Sequence, residues 1–240
     1  MALNPLSYTE NIVQSFLRYQ LTAYPFADDR LHRQMRDLLS LETARQTPLL
    51  RGPYISLSRA FRSGATVEAL GAEGVLHPHM RQVIPFPAIY GHQEEAIRAI
   101  VDGRTTLIST GTGSGKSECF LYPIISRCLT LRDGGADAGI CAVIVYPMNA
   151  LAEDQLGRLR ELLAGSGIPF GMYVGKTPDD EAEVSGRRLE PGATNADYHA
   201  ALAEARRRGE GTTVHPPEEA CSRVTMRTKG RQPLILLTNV

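Results

Sequence analysis

Apolar positions change their period partway along this chain. From Ile12 they recur at helical spacing through Val13, Phe16, Leu17 and the run from Tyr19 to Leu21, and the segment from Leu31 to Leu41 repeats it. Residues 1–84 therefore read as an N-terminal helical extension. Its charged residues, among them Asp28, Asp29, Arg30, Arg33, Arg36 and Asp37, mark a solvated helix face. Pro85-Phe86-Pro87 closes the region as an extended linker, because proline cannot continue a helix and disfavours helical geometry in the residue before it.

From Tyr90 short apolar runs alternate with amphipathic segments. The pattern predicts a helix around Gln93 to Val101, a buried strand over 104–109, a loop and helix, a strand over 141–146, a helix over 150–163 and a strand over 170–174. Strands without internal polar alternation, separated by helices, imply a parallel sheet covered on both faces. Pro123 falls inside the helix after the loop and predicts a kink or an early stop there. Residues 176–232 then break the alternation with Gly, Pro, Asp, Glu and Arg, and read as an insertion in a domain spanning 85–240. Leu234 to Leu237 reads as one more buried strand.

Composition narrows this picture little. Apolar residues make up 42% of the 240, enough for a real core, and 26 basic residues balance 26 acidic ones, so any attraction for polyanions must come from a local patch. The four cysteines show no paired spacing and read as reduced, structural thiols of a cytoplasmic protein. His77 and His79 flank Pro78 without a second ligand pair, which favours a turn over a metal site. Neither a signal peptide nor a membrane span is written in the chain.

The candidate chemistry lies in Ser109-Thr110-Gly111-Thr112-Gly113-Ser114-Gly115-Lys116-Ser117. Phosphate oxygens need several backbone N–H donors pointing inward together, and glycines at 111, 113 and 115 allow the tight loop that provides them. Lys116 supplies a cation for the β- and γ-phosphates, Ser117 a hydroxyl for Mg²⁺, and the following helix its positive N-terminus. Thr110 stands where the strict motif has its first glycine, yet the predicted order of strand, glycine loop and helix is the one phosphate binding requires. The expected cofactors are ATP and Mg²⁺.

Several separated segments resemble superfamily 2 DEAD/DEAH-box helicases. Tyr90-Gly91-His92-Gln93 stands where that family carries an adenine-reading glutamine, and Thr110 to Ser117 is similar to its motif I. Tyr146-Pro147-Met148-Asn149-Ala150-Leu151-Ala152-Glu153-Asp154-Gln155 resembles motif Ia, Val174-Gly175-Lys176-Thr177 motif Ib, and Leu236-Leu237-Thr238-Asn239 motif Ic. The wording is most similar to large prokaryotic helicases with a C-terminal domain of unknown function, some of them in phage-defence systems. The resemblance implies an α/β fold with a P-loop, RecA-like parallel sheet flanked by helices. It implies ATP contacts from Gln93 and residues 110–117, catalytic roles for Lys116 and Ser117, and nucleic-acid contacts from Pro147, Asn149, Ala150, Gly175, Thr177, Thr238 and Asn239. DNA is favoured over RNA as the partner, with defence-system subunits as further partners.

In that family an Asp-Glu pair follows an apolar strand downstream of motif Ic, and a second RecA-like lobe closes over ATP. Asp179-Asp180-Glu181-Ala182 imitates the letters but follows a turn, so the resemblance implies a first lobe truncated before motif II, part of a larger motor. Two alternatives remain open: a nucleotide-gated partner-binding module, and a non-enzymatic nucleic-acid binder using the basic segment 206–231. Arg206-Arg207-Arg208 reads first as the basic end of a short exposed helix.

Overall fold

The computed structural model describes residues 4–39, 60–135, 139–209 and 211–239. The chain divides into two compact units, residues 1–60 and 61–240. In the first, helix α1 (Pro5–Ala23) and helix α2 (Asp29–Leu39) form as the helical spacing predicts. Leu17 and Leu39 are buried, whereas Tyr8, Ile12 and Phe16 on α1 stay exposed. The part of the second apolar repeat beyond Leu39 lies outside the described residues.

The second unit begins earlier than the proline linker suggests. Strand β1 (Ser63–Thr66) pairs antiparallel with β2 (Ala88–Tyr90), and the short helices α3 (Val67–Ala72) and α4 (Met80–Val83) lie between them in sequence. Val67, Leu70, Leu76, Met80 and Ile84 join the main core, so residues 61–84 belong to the α/β unit. The reason is burial: each large apolar side chain removed from water contributes about 1.5–3 kcal/mol, which outweighs the local break at Pro85.

Helix α5 (Gly91–Val101) directly succeeds β2, and helix α6 (Lys116–Asp133) starts at the end of the glycine loop. α6 runs through Pro123 as one helix, so of the expected kink or early stop the stop does not occur, and Leu121, Tyr122, Ile125, Cys128 and Leu129 are buried around that proline. Packing on both sides of the missing N–H compensates for one lost backbone bond.

The main sheet holds β3 (Ala142–Tyr146), β4 (Phe170–Tyr173), β7 (Glu219–Ala220) and β8 (Ile235–Asn239) in the order β3-β8-β4-β7, every pair parallel. Helix α7 (Asn149–Leu163) is the crossover from β3 to β4, with Ala152, Leu156, Leu159 and Leu163 buried at helical spacing. Ile144, Leu237, Ile235 and Phe170 from β3, β8 and β4 share the core with α6 and α7. Val143 and Val145 on the other face of β3 are 56% and 54% exposed, so that strand is not covered on both faces as expected.

Residues 104–109 correct the expectation more sharply: they form no strand, and Leu107 is 94% exposed. An apolar, β-branched run becomes a strand only beside a partner edge, and no described strand pairs with it.

The segment expected as an insertion is ordered. It contains a single-turn 3₁₀ helix (Glu181–Glu183), the paired strands β5 (Arg187–Arg188) and β6 (Val214–His215), helix α8 (Asn195–Arg207), β7 and helix α9 (Arg223–Arg227). Thr194 caps α8, its hydroxyl accepting from the Asp197 N–H while the Asp197 carboxylate accepts from the Thr194 N–H. Tyr198, Ala201 and Ala205 of α8 bury against Ala164 and Val214 in a second small core.

Candidate nucleotide site and sheet edge

The glycine loop owes its shape to two of its three glycines. Gly113 and Gly115 have φ of +75° and +74°, in the left-handed region, whereas Gly111 does not and has open space where a Cβ would stand. A Cβ on Gly115 would lie 2.4 Å from Gln93 Nε2. Gln93 itself is 5% exposed: its Oε1 accepts from the Tyr90 N–H at 2.8 Å and its Nε2 donates to the Gly115 carbonyl at 3.0 Å. Beside it, His92 Nε2 donates to the Ser114 carbonyl at 2.9 Å, and the Thr110 and Ser114 hydroxyls bond each other. The segment before α5 and the loop before α6 are thus one hydrogen-bonded assembly.

Lys116 bends back over this loop, its Nζ donating to the Thr110 and Gly111 carbonyls at 2.8 Å each. A cavity of about 730 Å³ opens in front, lined by residues 112–118, Gln93, Tyr122 and Arg158 and by the 86–90 segment. Glu118 pairs with Arg158 of α7 in its wall, which links the first turn of α6 to the crossover helix. Burial pushes the Tyr122 phenol up to about 12, so it remains a neutral wall group. His92, Glu118, Tyr122 and Arg158 were not singled out by sequence. Only the Glu118 position, directly after the loop, carried any signal.

A second arrangement lies along the C-terminal edge of the sheet. The register places Val145 beside Thr238 and Thr238 beside Tyr173, so segments distant in sequence end side by side. Asn239 Nδ2 donates to Asn149 Oδ1 at 2.8 Å, and the Thr238 hydroxyl donates to the Tyr173 carbonyl at 2.8 Å. Pro147, Ala150 and Gly175 are exposed at this edge. Thr177 is corrected: it is 7% exposed, and its hydroxyl donates to the Met172 carbonyl and accepts from the Val174 N–H, both at 2.8 Å. It shapes the turn from within and presents no free hydroxyl to a ligand.

Other clusters are structural. Arg160 of α7 grips the buried Glu219 with two hydrogen bonds of 2.7 and 2.6 Å, and His215 Nδ1 lies 2.9 Å from the same carboxylate. Burial acts to raise the Glu219 carboxyl, but hydrogen bonds from Arg160 and His215 outweigh it and hold the group below its usual range. Cys221 beside it is pushed up to about 12 by burial and remains a thiol. His77 and His79 do meet a third possible ligand, Asp133, which linear spacing could not reveal; Arg132 already pairs with that carboxylate at 2.7 Å and reaches His79 at 3.3 Å. Asp179 pairs with Arg223, and Asp180 caps the 3₁₀ turn, so the Asp-Asp-Glu-Ala run holds the insertion together. No helix among the described residues is long and apolar enough to cross a membrane.

A parallel α/β unit in which a two-glycine loop, a lysine and a helix N-terminus converge on a cavity defines a P-loop domain. Residues 90–191 match the model of the DEAD/DEAH box helicase family. The chain is 31% identical over 192 residues to the Druantia protein DruE of Escherichia coli (strain UMEA 4076-1), covering 70% of this chain and 10% of that one. It is 37% identical over 94 residues to DEAD-box ATP-dependent RNA helicase 41 of Arabidopsis thaliana, covering 36% of this chain and 18% of the relative. The DUF1998 helicase MrfA, solved bound to DNA and AMPPNP, aligns over 75% of this chain and 18% of its own, at 18% identity and a TM-score of 0.44. The chain therefore spans 10% to 18% of the length of these relatives.

Proposed function

We propose that residues 61–240 form the ATP-binding part of an ATP-dependent helicase or translocase that grips a nucleic-acid strand along the sheet edge. One observation carries this reading: Lys116, the start of α6 and Gln93 converge on a single cavity of about 730 Å³, within the usual size of a small-molecule site. The cradle fits the group, since the left-handed Gly113 and Gly115 leave the loop N–H groups without Cβ cover. ATP with Mg²⁺ supplies the phosphoryl group that passes to water. Lys116 would neutralise its β- and γ-phosphates, the Ser117 hydroxyl would ligate the metal, and residues 110–115 would donate main-chain N–H groups. Gln93 keeps one amide N–H and one lone pair for an adenine edge after its two backbone bonds.

Strand binding rests on the row formed by Pro147, Asn149 and Ala150, then Thr238 and Asn239, then Gly175. Main-chain groups and amides there suit a sugar-phosphate backbone and read no sequence. A second lobe supplied by the rest of the motor would close over ATP and couple hydrolysis to the grip. Likeness to the Druantia protein DruE supports a role in phage defence. DNA rather than RNA is the proposed strand, and the cytoplasm the proposed location.

Calorimetric titration with ATP and Mg²⁺ tests the cradle. Lys116→Ala is expected to abolish measurable binding while the chain stays folded, because the half-buried Lys116 gives up two hydrogen bonds to loop carbonyls and no core packing. Equal affinities would refute the assignment. The nucleotide-gated module remains a second reading because Tyr8, Ile12 and Tyr19 of α1 are 53%, 51% and 68% exposed. Capture of a partner through residues 1–84 only with nucleotide present would favour it.

A further inference from the structure

The sheet edge does not end at β4. Helix α9 is fastened beside it: the Arg223 N–H donates to the Pro178 carbonyl at 2.9 Å and the Val224 N–H to the Asp179 carbonyl at 3.1 Å. Arg223 then reaches back, its guanidinium donating to the Val174 and Gly175 carbonyls at 3.2 and 3.1 Å and lying 5.3 Å from the centre of the Tyr173 ring. Arg227, one helical turn on, lies 5.7 Å from the same ring and donates to the Tyr173 hydroxyl. Two guanidinium groups are thus gathered on the residue that ends β4, beside Thr238, the penultimate residue of β8.

The two arginines differ in what they leave free. Arg223 is three-quarters buried and pairs with Asp179 at 3.2 Å, so it acts as the anchor. Arg227 is exposed and meets a phenol; among the described residues it has no carboxylate within ion-pair distance. Lys229, two residues on, and Lys176, next to Gly175 in sequence, are exposed and likewise form no ion pair among the described residues. In a chain of net charge 0, such uncompensated cations make a local positive field. An arginine laid on an aromatic ring also holds its planar fork in place, which lowers the entropy lost on gripping a phosphate in two-pronged fashion.

We propose that α9 extends the strand-binding edge, with Arg227 and Lys229 contacting phosphates of a single-stranded nucleic acid and Tyr173 and Arg223 positioning Arg227. This rests on the reading that the edge formed by β3, β8 and β4 carries the strand. The arginines at the end of α8 are a contrasting case, since Glu204 already pairs with Arg208 and Arg187 there.

Fluorescence anisotropy of the full chain with labelled oligothymidine, over a series of salt concentrations, tests the proposal. Each phosphate contact on a single strand contributes about 0.7 to the slope of log affinity against log salt. The double variant Arg227→Gln/Lys229→Gln should lower that slope by about 1.4 and weaken binding at least tenfold at physiological salt. Its ATP affinity should stay unchanged, which also reports that it folds. Unaltered slope and affinity in the double variant, with a wild-type chain that binds, would overturn the role of α9 alone. A wild-type chain that binds ATP but no strand would overturn the sheet-edge reading, and this inference with it.

Discussion

The side-chain amide of Gln93 donates to the carbonyl of Gly115 at 3.0 Å, joining the residue that precedes α6 to the first turn of α5. Gly115 sits at φ +74°, and a methyl group there would stand 2.4 Å from the Gln93 nitrogen. Gly115→Ala should therefore cost about 1–2 kcal/mol from the left-handed backbone alone. It should also displace Gln93 and lower ATP affinity at least tenfold. Chemical denaturation and calorimetry read the two effects separately, and an alanine variant with native affinity would show that this contact does not shape the site.

Glu219 makes stability depend on pH. Its folded-state carboxyl titrates below the usual value of 4.5, because the Arg160 and His215 hydrogen bonds outweigh the effect of burial. The contribution is therefore complete above that value and is lost as pH falls through the lowered one. Melting temperatures followed from about pH 7 to about pH 3 should fall more steeply for the wild type than for Glu219→Gln. At neutral pH the variant leaves Arg160 buried without its counter-charge, and a loss of about 3–5 kcal/mol is expected. Parallel pH curves for the two proteins would contradict this account.

The Asn149 and Asn239 side chains meet at 2.8 Å, bridging the start of α7 and the end of β8. Single alanine substitutions at either position should each weaken strand binding, and the double variant should lose less than their sum. A coupling of about 0.5–1.5 kcal/mol is expected from one hydrogen bond at a shared site. Strict additivity in anisotropy titrations would mean that the two residues act independently.

Arg206, Arg207 and Arg208 close α8 from an exposed position, where cations suit the helix C-terminus. Replacing all three with glutamine should leave the salt dependence of strand affinity as it was. A flattened dependence would move the phosphate-binding surface to α8.

The sequence made the phosphate loop legible because its requirements are local: glycines for backbone freedom, a lysine, and a helix directly after. The parallel alternation from β3 to β8 was legible for the same reason, each element carrying its own period. What could not be read is pairing. Residues 104–109 have strand composition, yet Leu107 lies open to solvent because composition names no partner edge. The Arg160–Glu219–His215 assembly joins α7 to residues some sixty positions away and leaves no pattern along the chain. Gln93 could be picked out from the resemblance of the Tyr90–Gln93 stretch to an adenine-reading segment, but not its place as the strut beneath Gly115. Thr177 looked like a ligand group for want of the fold that turns its hydroxyl inward.

The order β3-β8-β4 has a consequence for how this architecture tolerates change. The chain leaves β4 after Tyr173, adds the short edge strand β7 at Glu219–Ala220, and enters β8 at Ile235, beside Phe170 at the opposite end of β4. The ladder fixes the separation of the two ends of this parallel crossover, whatever lies between them. Lengthening such a crossover adds only about 0.6 kcal/mol of closure entropy per doubling, so extra modules can be grafted there while the phosphate loop keeps its form.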